Sequence, residues 1–108
     1  MSSKIDKKLT EIVSTLKAEF KPSRLFLFGS RSNGTATPDS DYDFVVVVPS
    51  NTKSRAENMG KARQLLHEKC KISADVFVYS LEEFADWEDE LNSIPETAKN
   101  TGREIDLG

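Results

Sequence analysis

The chain of 108 residues is expected to form one domain, 1–108, with a single core, and it has no room for a separate substrate domain. Its net charge of −3 excludes a global basic field of the kind that holds nucleic acid, so nucleic acid is disfavoured as the main substrate. Because no apolar run reaches the roughly 20 residues that span a bilayer, and the single cysteine, Cys70, cannot form an internal disulfide, we expect a cytoplasmic protein without membrane contact.

The first half of the chain predicts one helix, two strands and a loop. Apolar residues at helical spacing in 5–20 predict an amphipathic helix, which Pro22 ends. Residues 24–28 predict a short strand, and the Ser-, Thr-, Gly- and Pro-rich residues 31–40 predict a loop. The almost continuous apolar run 42–48 contains four valines and is typical of a central strand covered on both faces.

The second half predicts a further helix and a third strand. Ser54 and Glu57 form a capping box at the start of a helix over 54–69. Alternation of side chains in 72–79 predicts a strand with two different faces.

Two short helices are predicted after the third strand. Ser80 opens the first with a capping box, and Pro95 starts the second, which ends before Gly102. Trp87 and Leu91 are assigned to the first of these helices, in the core or at a partner interface. The order of elements predicts an α/β (α+β) fold, with a small mixed sheet of three to four strands and helices packed mainly on one face.

Two aspartates precede the valine-rich run. Asp41 and Asp43 are two positions apart, and side chains two apart along a strand point to the same face. Carboxylates that close repel each other unless a cation lies between them. Since Mg²⁺ and Mn²⁺ take oxygen ligands, and Mg²⁺ commonly binds through carboxylates plus substrate phosphates, the pair predicts a metal-held nucleoside triphosphate. The pair alone is a weak signal, because turns and strand ends also collect aspartates.

A Gly-Ser pair follows the first predicted strand. Gly29 lets the backbone turn sharply and approach a phosphate, and Ser30 offers a hydroxyl and an N–H to phosphate oxygens. Arg31 and Lys53 are candidate cations for the β- and γ-phosphates, with Arg31 favoured because it adjoins the turn and can bond bidentately. An exposed loop cation is the alternative interpretation of Arg31.

A third carboxylate, Asp75, interrupts the apolar residues of the third predicted strand. An unpaired buried carboxylate is costly, so its charge must be compensated. A metal shared with Asp41 and Asp43 would do so if the second and third strands are neighbours, and two ions about 3.5–4 Å apart would suit in-line displacement at phosphorus. The alternative is a solvated residue on a half-exposed strand face.

Together these motifs resemble a known family. Gly29-Ser30, ten intervening residues and Asp41-Tyr42-Asp43, followed by a hydrophobic strand and a later strand with a lone Asp, resemble the nucleotidyltransferase superfamily related to DNA polymerase beta. The run GSRSNGTATPDSDYDFVV is similar in particular to the minimal nucleotidyltransferase (MNT) subfamily, which comprises single-domain prokaryotic proteins.

The resemblance implies roles for these residues. Gly29 and Ser30 would hold the triphosphate, Asp41 and Asp43 would bind metal, and Asp75 would complete the metal-binding triad and assist deprotonation of the acceptor. The family transfers a nucleoside monophosphate, often AMP from ATP, to a hydroxyl and releases pyrophosphate.

The resemblance also implies a partner. Minimal members are often encoded with a small all-helical HEPN-domain protein, which can be an RNase toxin, and some neutralise it by adenylylating a tyrosine. It therefore implies an Mg²⁺-dependent protein adenylyltransferase, using ATP or another NTP, that acts as an antitoxin.

Three alternatives stay open. The chain could neutralise a partner by occlusion, with the acidic site as a relic. It could modify an antibiotic, although it lacks the extra domain that such enzymes use to hold a small acceptor. Asp39 is an alternative third carboxylate only by its proximity to the motif.

Overall fold

The computed structural model describes residues 7–28, 42–50 and 54–107, which form four helices and a four-stranded sheet. No helix in these ranges is both long and apolar enough to cross a bilayer. In chain order the elements are α1 (Lys7–Phe20), β1 (Arg24–Phe28), β2 (Tyr42–Val48), α2 (Arg55–Cys70), β3 (Ala74–Ser80), α3 (Leu81–Trp87), α4 (Ile94–Thr101) and β4 (Arg103–Glu104).

The sheet is mixed and has the strand order β3-β2-β1-β4. β1 is antiparallel to both β2 and β4, whereas β2 and β3 are parallel. Parallel neighbours need a crossover connection, and α2 provides it. The predicted α/β fold with a small mixed sheet is therefore confirmed.

One face of the sheet is fully covered by the two longer helices. Alternate side chains of the three longest strands pack with residues of α1 and α2 into a buried apolar cluster, and we call this side the first face. Phe44 and Val46 of β2 are completely buried there, as are Ile12 of α1 and Leu66 of α2. Cys70 is also buried in this cluster, as expected for a thiol at the apolar edge of a helix.

The opposite, second face is covered by the two short helices over part of its length. The buried residues on this side are Phe26, Val45, Val47, Tyr79, Phe84 and Ala98. Phe28 and Phe77 pack against them but stay only partly buried. The expectation that helices lie mainly on one face thus holds for α1 and α2, while α3 and α4 cover part of the other.

Local capping signals set the helix starts as predicted. The hydroxyl of Ser54 accepts the N–H of Glu57 at 3.1 Å, and that of Ser80 accepts the N–H of Glu83 at 3.0 Å. In both cases the glutamate returns a bond to the N–H of the serine. The third strand starts at Ala74 rather than at 72, because Lys71 adopts a left-handed conformation (φ 57°) that ends α2.

The assignment of Trp87 and Leu91 to the core is wrong. α3 ends at Trp87, so Leu91 is not part of a helix, and the side chains are 47% and 77% exposed. The reason is a tight reversal between α3 and α4, in which Asn92 has a φ of 68°. A partner interface remains as the other interpretation.

The short strand β4 was not predicted, since two exposed residues carry no alternating pattern. An ion pair and a close backbone approach help to hold β4 against β1. Arg24 donates from Nε and Nη2 to the two carboxylate oxygens of Glu104, each at 3.0 Å, and these hydrogen bonds raise the pKa of Arg24 and lower that of Glu104. A Cβ on Gly102 would lie 2.6 Å from the carbonyl oxygen of Ala98 and 2.7 Å from that of Leu27, so only glycine fits.

Candidate functional site

Two carboxylates lie side by side on the second face. Asp43 of β2 pairs with Asp75 of β3 in the parallel register. Paired residues on neighbouring strands point to the same face, with backbones about 5 Å apart. Val45 and Phe77, two positions further along their strands, belong to the second face, so the carboxylates do as well. The condition that the second and third strands are neighbours is therefore met.

The pair lies at the edge of the sheet that is formed by strand ends and not by a single strand. At this edge β2 and β3 begin and β1 ends. Asp43 and Asp75 are each the second residue of their strand. On its other side Asp43 pairs with Phe28, which is the last residue of β1. The chain leaves β1 at Phe28 and enters β2 at Tyr42, so residues 29–41 are joined to this edge at both ends.

The charge of Asp75 is partly balanced by a cation that the sequence did not indicate. Arg63 of α2 places Nη1 3.5 Å from Oδ1 of Asp75, with side chains 61% and 42% exposed. β3 is an edge strand, so a side chain from α2 can reach round it. The premise that Asp75 lies buried in an apolar strand is therefore wrong, because the carboxylate is near the strand start, half exposed and paired. No sequence signal connects positions 63 and 75, since only the docking of α2 on β3 brings them together.

All of the remaining predicted site residues lie outside the described residues. These are Gly29, Ser30, Arg31, Asp39, Asp41 and Lys53. The structure therefore brings together Asp43 and Asp75, and the roles of all of these residues stay predictions.

The donor set at this edge suits a hard divalent cation. Asp43 and Asp75 supply carboxylate oxygens from adjacent strands, which is the ligand chemistry that Mg²⁺ and Mn²⁺ take. Within residues 7–28, 42–50 and 54–107, no three His, Cys, Asp or Glu side chains come close enough to hold a metal between them. Two protein carboxylates are enough where substrate phosphates complete the coordination sphere.

A surface groove of about 330 Å³ lies elsewhere on the molecule. It is lined by residues of α1 and α2, namely Ser14, Thr15, Ala18, Glu19, Leu65 and Lys69. Because these two helices cover the first face, the groove is separated from Asp43 and Asp75 by the sheet. It is not part of the carboxylate site.

Comparison with known proteins identifies the family. The family model described as "Nucleotidyltransferase domain" matches residues 7–107. A solved structure described as "Crystal structure of the toxin-antitoxin with AMP-PNP" resembles the chain with a TM-score of 0.62 and 20% sequence identity, covering 91% of this chain and 71% of that one. At this identity the likeness shows the fold. No curated protein sequence matches.

The family match covers every described strand and helix, and the fold agrees with the solved structure. The chain belongs to the nucleotidyltransferase domain family.

Proposed function

We propose that the chain is a minimal nucleotidyltransferase that moves a nucleoside monophosphate, AMP from ATP in the first place, to a hydroxyl on a partner protein. The observation that carries the proposal is the in-register pair of Asp43 and Asp75 at the edge to which residues 29–41 are joined. That segment contains Gly29, Ser30 and Asp41 in the sequence. Family membership supports the same chemistry.

Asp41, Asp43 and Asp75 would hold one or two Mg²⁺ ions, with Mn²⁺ as the alternative, together with the triphosphate. The bound metal would neutralise charge that develops on the phosphate oxygens. Gly29 and Ser30 would bind the triphosphate through backbone N–H groups and the serine hydroxyl. Arg31 is assigned to the β- and γ-phosphates.

The transfer would proceed by in-line attack at the α-phosphorus. The acceptor hydroxyl oxygen forms a bond to the α-phosphorus, and the bond from that phosphorus to the α,β-bridging oxygen breaks. Pyrophosphate leaves with the bridging electron pair, and Asp75 takes the hydroxyl proton. The protein contributes mainly by positioning the two reactants and stabilising charge.

The proposed acceptor is a helical partner protein of the HEPN type, which makes the chain an antitoxin. The similar solved structure is described as a toxin–antitoxin with AMP-PNP, which supports both the nucleotide and the pairing. Trp87 and Leu91 support a protein contact, because both side chains are exposed. The acids beside them, including Asp86 and Glu90, would favour a basic partner and repel a phosphate backbone.

The test measures transfer of label from α-labelled ATP in Mg²⁺, with and without the product of the neighbouring open reading frame. We expect a mass increase of one AMP on the acceptor, lost on chelation. Asp43→Asn and Asp75→Asn should each reduce the transfer rate by at least about 100-fold, because each removes a charge that holds the metal. Asp106→Asn is the matched control, since this exposed carboxylate follows β4 beside the start of β1, whereas Asp43 pairs with the end of β1. Wild-type transfer by Asp43→Asn would overturn the assigned chemistry.

A second function, neutralisation by occlusion, is favoured by the ion pair between Arg63 and Asp75, which balances the carboxylate without a metal. It predicts a complex that forms without ATP or Mg²⁺ and survives replacement of Asp41, Asp43 and Asp75 by asparagine. Sedimentation of the complex with the triple variant, with and without nucleotide, distinguishes the two functions.

A further inference from the structure

Two aromatic rings form the outer edge of the apolar cluster on the second face. Phe28 and Phe77 have ring centroids 6.2 Å apart and are tilted by 44° to each other. Both side chains are partly exposed. By contrast, Phe26 and Phe84 of the same cluster are buried and stack at 5.4 Å and 11°. The aromatic cluster is therefore closed at its centre and open toward Phe28 and Phe77.

The open edge adjoins the two carboxylates. Phe28 pairs with Asp43 across β1 and β2, and Phe77 lies two residues after Asp75 on β3. Residues two apart on a strand share a face, so both rings border the row formed by Asp43 and Asp75. A nucleotide whose phosphates bind at these carboxylates therefore has a partly exposed aromatic surface beside its phosphate site.

At the opposite end of the aromatic cluster, a cation covers the rings. There the guanidinium of Arg24 lies 4.9 Å from the centroid of Phe26 and 5.5 Å from that of Phe84, and Glu104 holds it in place. Phe28 and Phe77 receive no such cation from the part of the chain that the structure describes. A planar π system is another group that stacks on an exposed ring.

We propose that Phe28 and Phe77 form a stacking surface for the base of the nucleoside triphosphate, and that they give the site a preference for purines. This inference rests on the proposed function, because the phosphates must bind at Asp43 and Asp75. Stacking on an aromatic ring does not depend on hydrogen-bond readout. The apolar area that stacking removes from water is larger for a purine than for a pyrimidine, so a purine gains more. ATP and GTP therefore bind more tightly than CTP and UTP.

The experiment compares ligands that carry a purine, a pyrimidine or no base on a chain of three phosphorus groups. Binding of α,β-methylene ATP, α,β-methylene CTP and inorganic tripolyphosphate is measured by calorimetry in Mg²⁺, with the whole chain, and the wild type should bind the ATP analogue more tightly than the CTP analogue. We expect Phe77→Leu and Phe28→Leu each to weaken binding of the ATP analogue about five- to tenfold and to change tripolyphosphate affinity by less than about twofold. Phe77→Tyr keeps a ring and should restore nucleotide affinity.

Phe20→Leu is the matched control, since Phe20 is a partly buried aromatic residue on the first face. It should leave all three affinities unchanged, and thermal unfolding verifies that every variant is folded. Equal loss of the ATP analogue and tripolyphosphate in Phe77→Leu would show that the ring is only structural and would overturn the stacking surface. Unchanged nucleotide affinity in both Phe28→Leu and Phe77→Leu would also overturn the stacking surface, but it would not contradict phosphate binding at Asp43 and Asp75. If none of the ligands binds the wild type, the proposed function and this inference fall together.

Discussion

The two faces of the central sheet differ in how completely they are covered. On the first face, side chains from β1, β2 and β3 are sealed beneath α1 and α2. On the second face, α3 and α4 cover the middle of the sheet but leave Asp43, Asp75 and the adjoining rings at least partly exposed. The same strands therefore supply a closed core on one side and an accessible polar row on the other.

This difference separates stability from function in a small domain. The apolar clusters on the two faces of the sheet together form the core of this 108-residue chain, and few of their residues can be replaced without loss of stability. Carboxylates at the start of two strands lie outside that core, so they can be replaced at little cost in folding. We therefore expect asparagine at positions 43 and 75 to affect chemistry and not the fold.

The largest expected effect compares the same substitution on opposite faces. Phe44 is completely buried on the first face, so Phe44→Ala should lower the free energy of unfolding by about 3–5 kcal/mol. Phe77→Ala, on the adjacent strand and the second face, should cost less than half as much, because its ring is only partly buried. Denaturant unfolding measures both.

If Phe44→Ala is too unstable to measure, Phe44→Leu and Phe77→Leu keep the comparison, with an expected loss of about 1 kcal/mol at position 44 and a smaller loss at position 77. Equal losses at positions 44 and 77 would contradict the difference between the two faces.

A second prediction tests the packing that joins the second-face helix α4 to the end of β1. Gly102→Ala should destabilise the fold by about 1–3 kcal/mol, because the added Cβ meets two backbone oxygens and the Cβ of Phe28 at 2.9 Å. Gly60→Ala is the control, since Gly60 is exposed in the middle of α2 and a Cβ there meets nothing within 4 Å. It should stabilise the protein by about 0.5–1 kcal/mol.

Opposite signs at these two glycines are the expected result, measured by thermal or denaturant unfolding. A Gly102→Ala protein as stable as the wild type would show that the contact of α4 with β1 is looser than the structure has it.

The smallest expected effect concerns Arg24, whose guanidinium lies over Phe26 and Phe84 and pairs with Glu104. Glu104→Gln should lower stability by at most about 0.5 kcal/mol, because the ion pair with Arg24 is exposed and screened by salt. Folding lowers the pKa of Glu104 below its usual 4.5, so the stabilisation is present above that pH and is lost as the pH falls through the lower folded value.

The measurement is the stability difference between the wild type and Glu104→Gln as a function of pH and salt. Glu90→Gln, at an exposed glutamate in the turn between α3 and α4, should show no such difference. A difference that persists in high salt at acid pH would contradict a role for the ion pair.

Local sequence determined most of the secondary structure. The strands at 24–28 and 42–48 have the predicted bounds, because apolar β-branched and aromatic runs end at Pro22 and Pro49. The helix starts after Ser54 and Ser80 are equally local, since each cap is completed by a residue three positions later. The exposed turn with Leu91 was missed because helical spacing continued past the point where α3 ends.

For the site, the sequence placed Asp43 at the start of its strand but Asp75 in the middle of another, and it did not indicate the partner of either. Alternation alone put Asp75 on one face of its strand, because side chains change face at every residue. Its register with Asp43, its ion pair with Arg63 and the docking of β4 depend on contacts between residues far apart in the chain. Such contacts are decided by how helices and strands pack, and no local pattern records that packing.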